Sequence, residues 1–304
     1  MNTKKNLNLL LTGMFALSTL VSCSNKEEDT ITNQEPQALE GLIEQPGDSS
    51  HQCSYVDAYW SPTAYLSNSF GTTAETDFIK ARLSSIASLW GRPLPQLSFV
   101  IDPSNYGSTL NAVAYPTGKI YYGQALYNRA KSQNSNKIAC VSVLAHEFGH
   151  LLQYSYGLPS VSETTYRADE LESDGFSGYY LGKYVGYTAN SYNAIASAVD
   201  FAALFGDNNV TNVNHHGTAA QRKSAVRLGY LLSNPAITGL NNAVNFDSKF
   251  FFYYNRVLSA TIKMQISKPD GMTQQGHDLI VSHLDELRKI ADGTMTDQEY
   301  LNLQ

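Results

Sequence analysis

Residues 146–150 read His-Glu-Phe-Gly-His. On a helix, positions i and i+4 share a face, so His146 and His150 project together. Two neutral imidazoles so placed can hold Zn²⁺ through ring nitrogens. Glu147 stands beside the first of them, where a carboxylate can take a proton from an attacking water. The pattern points to a zinc hydrolase, with peptide bonds as the expected substrate.

A catalytic zinc site needs a third protein ligand and one open position. After nineteen intervening residues, the chain reads Glu170-Leu-Glu-Ser-Asp174-Gly-Phe-Ser-Gly178. Glu170 and Asp174 share a helix face, and Gly178 and Gly182 continue it as a stripe of small residues suited to close packing on the zinc helix. Glu170 is the expected third ligand. Asp174 is then placed to accept the free N–H of a zinc histidine and fix its tautomer. Glu163, Asp169 and Glu172 compete for the ligand role, and an acidic first turn is also common on solvated helices.

The helix that must carry the histidines is legible. Ser135 or Asn136 can cap its start, and Ile138, Val141, Leu144, Ala145, Phe148, Leu151 and Leu152 recur at helical spacing. Gly157 and Pro159 end it. Gly149 is costly in a helix interior, so another backbone is expected to approach there. Leu110–Tyr115, the turn Pro116-Thr117-Gly118 and Lys119–Tyr122 read as a hairpin before that helix. An exposed edge of such a hairpin can pair with an extended peptide, although a purely structural hairpin fits the same residues.

The run Leu144–Gln153 together with Glu170–Gly178 resembles the bacterial neutral zinc metallopeptidases, among the zinc proteases whose third ligand is a glutamate on a second helix (the gluzincins). Asn111–Tyr121 is similar to the strand–turn–strand before the zinc helix in such proteases, and His216–Arg222 to a segment after the third ligand. The similarity spans roughly residues 75–232. It implies a zincin-like fold, one Zn²⁺ held by His146, His150 and Glu170, and Glu147 as general base. It also implies that the substrate-binding edge carries Asn111, Ala112, Val113 and Ala114. His216 is implied as a donor to the oxyanion, with Arg222 bracing a carboxylate near the site. His215 and Asn214 leave a simpler reading open, in which His216 belongs to a helix cap. His51 and His277 lie in polar segments and are expected at the surface.

The chain opens with Lys4 and Lys5, an apolar stretch Leu7–Val21 and then Ser22-Cys23. This reads as a signal peptide, too short to span a bilayer comfortably. Leu20-Val21-Ser22-Cys23 resembles a lipobox, which implies cleavage after residue 22 and lipidation of Cys23. Ser24–Asp29 is similar to the acidic tags that send some Gram-negative lipoproteins to the outer face of the outer membrane. Residues 23–54 are polar and read as a flexible tether. Of 21 Lys and Arg, two lie in the signal segment, leaving 19 against 27 acidic residues. That balance, with no basic cluster, argues against nucleic acid and against a basic membrane face. Cys53 and Cys140 could form a disulfide outside the cytoplasm, or Cys140 could be a buried thiol.

The rest, residues 55–304, suits one α+β domain: a small sheet beside a mainly helical body that carries the zinc helix. Asp77–Leu89 is an expected helix and Gln96–Asp102 a strand, with further helices over 165–184, 190–205, 217–232, 247–261 and 276–292. Residues 235–304 resemble nothing in the family and could be extra core, a docking surface or a specificity element. The tyrosines crowding residues 154–187 are expected mainly to fill the core. A peptide or protein substrate is the expected partner. A non-catalytic zinc-containing surface lipoprotein and a zinc hydrolase of a non-peptide amide are the alternatives.

Overall fold

In the computed structural model, residues 43–46, 55, 59–184, 192–259 and 266–303 are described. Cys23, the signal segment and Cys53 lie outside them. Four strands, β1 (Tyr65–Ser67), β2 (Gln96–Ile101), β3 (Ala112–Tyr115) and β4 (Lys119–Gly123), form one sheet in the order β1-β2-β4-β3. The β2–β4 pair is parallel and the other two are antiparallel. Alternation splits the strands between two faces. Phe99, Ile120 and Tyr122 point into the helical core, while Val100, Val113, Tyr115 and Tyr121 form a second cluster under Trp60 and Ile43. Both faces are covered, which is why these strands read as nearly continuous apolar runs.

Ile43–Pro46 were expected in the tether but lie on that second face. The Tyr115 hydroxyl donates to the Glu44 carbonyl at 2.6 Å, and Lys119 pairs with the Glu44 carboxylate at 3.2 Å. Strand β3 is an edge by topology, yet the expected exposure is corrected. All four of its residues are buried, and the Ala112 carbonyl accepts the Tyr55 N–H at 2.9 Å.

Helix α1 (Thr73–Leu89) begins four residues before the expected Asp77, because Thr72 and Glu75 cap one another reciprocally. A short helix, α2 (Gln124–Lys131), leads to α3 (Ile138–Tyr156), the helix that carries both histidines. The N-cap of α3 is Lys137, at φ 58°, rather than the expected Ser135 or Asn136, and Asn136 before it accepts the Ile138 N–H at 3.0 Å. Gly157, at φ 63°, ends it in the left-handed conformation expected of a C-terminal glycine. Beyond it come α4 (Arg167–Lys183), α5 (Ala196–Ala203), α6 (Ala219–Leu232) and α7 (Ala243–Leu258). The expected helix over 276–292 breaks at His283 into α8 (Gln274–Ser282) and α9 (Leu284–Ala291), followed by α10 (Asp297–Leu301). The break lets α9 lie on α6, where Ser224 donates to the Leu287 carbonyl at 2.8 Å and Arg227 pairs with Glu286 at 2.6 Å. The protein is α+β, and among the described residues no helix is long and apolar enough to cross a membrane.

The site depends on three helices in close contact. Gly149 of α3 meets Ser173 and Phe176 of α4, where an added Cβ would lie 3.1 Å from the Ser173 Cα, and Ser142 and Ser177 bond across the same seam at 2.9 Å. The close approach expected at Gly149 is therefore present. The Gly178–Gly182 stripe, however, faces α6 rather than α3: a Cβ on Gly178 would lie 2.1 Å from the Val226 carbonyl oxygen. A period of small residues marks a tight contact but does not name the neighbour. The C-terminal helices are core. Phe250 packs on Gly175, and Phe246 stacks on Phe176 at 4.5 Å. His277, expected at the surface, is buried between the Tyr253 hydroxyl (2.9 Å) and the Ile266 carbonyl (3.0 Å).

Candidate metal centre

Helices α3 and α4 bring His146, His150 and Glu170 to one buried point. The two Nε2 atoms are 3.1 Å apart. Glu170 places one carboxylate oxygen 3.3 Å from His146 Nε2 and the other 3.3 Å from His150 Nε2. Neither Glu170 oxygen has a hydrogen-bond partner, although both are buried.

The outer nitrogens show why this cluster could hold a cation. His146 Nδ1 donates to Asp174 at 2.9 Å. His150 Nδ1 donates to the Gln153 side-chain oxygen at 2.7 Å, with the Ser173 hydroxyl 3.1 Å away. Gln153 is oriented by its own amide, which donates to the Asp169 carbonyl (2.7 Å) and to Glu172 (3.0 Å). With both protons outward, two Nε2 lone pairs and a carboxylate face one another. Edges of 3.1–3.3 Å suit a small cation about 2 Å from each ligand. The cluster could therefore hold a metal ion.

Charge leads to the same conclusion. Glu147, Glu170, Asp174 and Arg222 are all buried, so three carboxylates stand against one guanidinium and a dication would balance them. Arg222 of α6 grips Asp174 with two bonds, 2.7 and 2.9 Å, and stands 3.7 Å from Glu170. Burial opposes ionisation of Asp174, but Arg222 and the His146 bond hold its carboxyl below the usual range. Burial likewise raises the Glu170 carboxyl, and His216, His146 and His150 overcome this to keep it well below normal. For His146, burial favours the neutral ring, yet Asp174 and Glu170 outweigh it and push its pKa up to about 9. Without a metal, Asp174 and Glu170 favour a proton on His146.

Glu147 differs from the other carboxylates. Burial pushes its pKa up to about 7, against the two histidines and the Ala114 N–H, with Glu170 adding to the rise. Both its oxygens are buried, and neither makes a contact with hydrogen-bond geometry. A carboxyl so poised can exchange a proton near neutral pH.

The competing acids are elsewhere. Glu163 pairs with Arg167 at 2.7 Å. Glu172 faces Asp247 and Gln153, and Asp169 lines a cavity of about 710 Å³ with Gln153, Tyr154, Pro159 and Tyr166. His216 lies at the start of α6 and lines a second cavity of about 410 Å³ with Tyr55, Phe205 and Asp207. Asp207 receives the His216 backbone N–H at 2.9 Å and the His215 ring at 2.7 Å. Of the expected edge residues, Asn111 folds its side-chain oxygen onto the Ala112 N–H (2.9 Å), while Ala112 and Ala114 point away from β4. Cys140 is a buried thiol against the Tyr127 carbonyl, and burial pushes its pKa up to about 12.

Sequence reading gave no role to Gln153, Ser173, Asp207 or Tyr55. Gln153, three residues after His150, carried a usable signal because i and i+3 share a helix face. The others arrive from separate elements with no local signature. No protein-family profile, curated protein or solved structure matches this chain.

Proposed function

We propose that the protein is a zinc-dependent peptidase of zincin-like fold, carried on the bacterial cell envelope by a lipid on Cys23. One observation carries this reading. Two oriented imidazoles and a carboxylate enclose a cation-sized point beside a second carboxylate whose pKa is about 7. A purely structural metal site has no use for Glu147.

Bound by His146, His150 and Glu170, Zn²⁺ would supply Lewis-acid activation of water and of the scissile carbonyl. Glu147 takes the proton of the attacking water and delivers it to the leaving amine. Asp174 and Gln153 hold the imidazoles in the tautomer that turns Nε2 inward, and Arg222 keeps Asp174 ionised. His216, whose charge helps keep Glu170 ionised, would donate to the developing oxyanion. The Ala114 backbone on β3 aligns an extended substrate, and Tyr154, whose hydroxyl donates to the Ala114 carbonyl at 3.4 Å, borders its path.

Cleavage of an unbiased peptide library, read by mass spectrometry, tests the reading. Wild type is expected to cut, and Glu147→Gln to lose activity by about 10²–10⁴-fold while keeping its metal. Metal-loaded wild type that cuts no peptide would redirect the proposal to a non-peptide amide or a binding role.

A further inference from the structure

Tyr55 stands where β3 would otherwise accept a partner strand. It is 2 % exposed, and its N–H donates to the Ala112 carbonyl at 2.9 Å. Its ring meets the His146 imidazole edge-on, 5.1 Å between centroids. The Arg222 guanidinium lies over its face at 5.4 Å, and Phe205 closes on it at 4.7 Å. A residue held on so many sides is a wall of the site.

Strand pairing sets how much substrate fits beside that wall. Tyr115 accepts the Gly118 N–H within the hairpin at 2.9 Å, so Val113 and Tyr115 bond toward β4 while Ala112 and Ala114 face outward. Outward positions two residues apart are separated by about 6.6–6.8 Å. A peptide pairing with Ala114 would run in line with Tyr55 and meet it within roughly two residues. The Tyr55 ring itself lies against His146 of the metal cluster, so the reacting carbonyl belongs within a residue or two of it. In the other direction the edge continues through Tyr115 to Pro116, which borders the 710 Å³ cavity.

We propose that Tyr55 closes one end of the substrate channel, so that the site cleaves within about two residues of a free peptide end rather than inside a chain. The proposal rests on the peptidase reading above. The long part of the substrate lies past Tyr115 toward Pro116 and Tyr154. The terminal residues take the 410 Å³ cavity, whose Asp207, Asn209 and Asn212 suit a charged chain end.

The test compares a linear decapeptide with its head-to-tail cyclic form, using metal-loaded wild type and mapping products by mass. Linear peptide is expected to lose one or two residues from one end, and the cyclic form to be cut roughly 100-fold more slowly or not at all. Cyclic peptide opened at a comparable rate, or linear peptide cut at its centre, overturns the proposal and leaves the peptidase reading standing. Failure to cut either form, or any library peptide, overturns both. Tyr55→Ala is expected to gain internal cleavage, whereas Tyr55→Phe keeps the end preference, with metal content and thermal melting as folding controls. Should Tyr55→Ala not fold, the linear–cyclic comparison on wild type still decides.

Discussion

Gly229→Ala is expected to pry apart the helices that hold Asp174 and its partner Arg222. The new Cβ would lie 2.0 Å from the Gly175 carbonyl oxygen and 3.0 Å from the Gly175 Cα. Both are backbone atoms, so no rotamer relieves the contact. Reaching an ordinary carbon–oxygen separation of about 3.3 Å requires α4 and α6 to part by roughly 1.3 Å. Overpacking of this kind costs about 1–3 kcal/mol, and a backbone clash belongs at the upper end. The higher helix propensity of alanine returns about 1 kcal/mol, leaving a net loss of roughly 2 kcal/mol. The same displacement acts on the Arg222–Asp174 bonds, now 2.7 and 2.9 Å, because Arg222 sits on α6 and Asp174 on α4. Stretched beyond hydrogen-bonding range, Asp174 would no longer fix His146, and zinc affinity should fall about 10–100-fold. Urea unfolding and zinc competition against a chelator measure the two effects. Gly107→Ala, whose Cβ meets only the Asn105 side chain at 4.0 Å, is the control. Unchanged stability and unchanged zinc affinity in Gly229→Ala would refute this packing argument.

Asp174→Asn should weaken zinc binding about 10–100-fold, and Gln153→Leu should do the same through His150, both read by chelator competition; wild-type affinity in either variant would contradict the tautomer argument. Zinc binding must displace the proton that Asp174 and Glu170 hold on His146, whose pKa is about 9. Binding should therefore release protons and tighten as pH rises toward 9, measured by calorimetry in buffers of different ionisation enthalpy; binding independent of pH would count against it. Glu172 is pushed well above the normal carboxylate range by burial and by Asp247. The native state thus binds a proton that the unfolded chain releases above about 4.5, and stability falls as pH rises past that point. Glu172→Gln should flatten this slope and raise the melting temperature at pH 7; an unchanged slope would contradict it.

The His146–His150–Glu170 cluster was more legible than the packing around it. His146, Glu147 and His150 lie on one helix, where spacing alone determines their relation, and Glu170 was singled out by Asp174 one turn later. The same segment misled about its glycines, since Gly178 and Gly182 meet α6 and not α3. Strand β3 was readable as an edge, but its cover was not: Tyr55 lies 57 positions before Ala112, and no local pattern links them. Asp207 reaches His215 and His216 from a loop for the same reason. Helix breaks followed capping chemistry where it was local, as at Thr72 and Gly157. At His283 the break serves contact with α6, which only the folded chain displays.

Elemental analysis of the purified lipid-free protein, residues 24–304, tests the central claim most directly. One equivalent of zinc per chain is expected, lost in Glu170→Gln combined with His150→Ala while the fold persists by circular dichroism. A wild-type protein that stays metal-free after incubation with zinc would contradict the account.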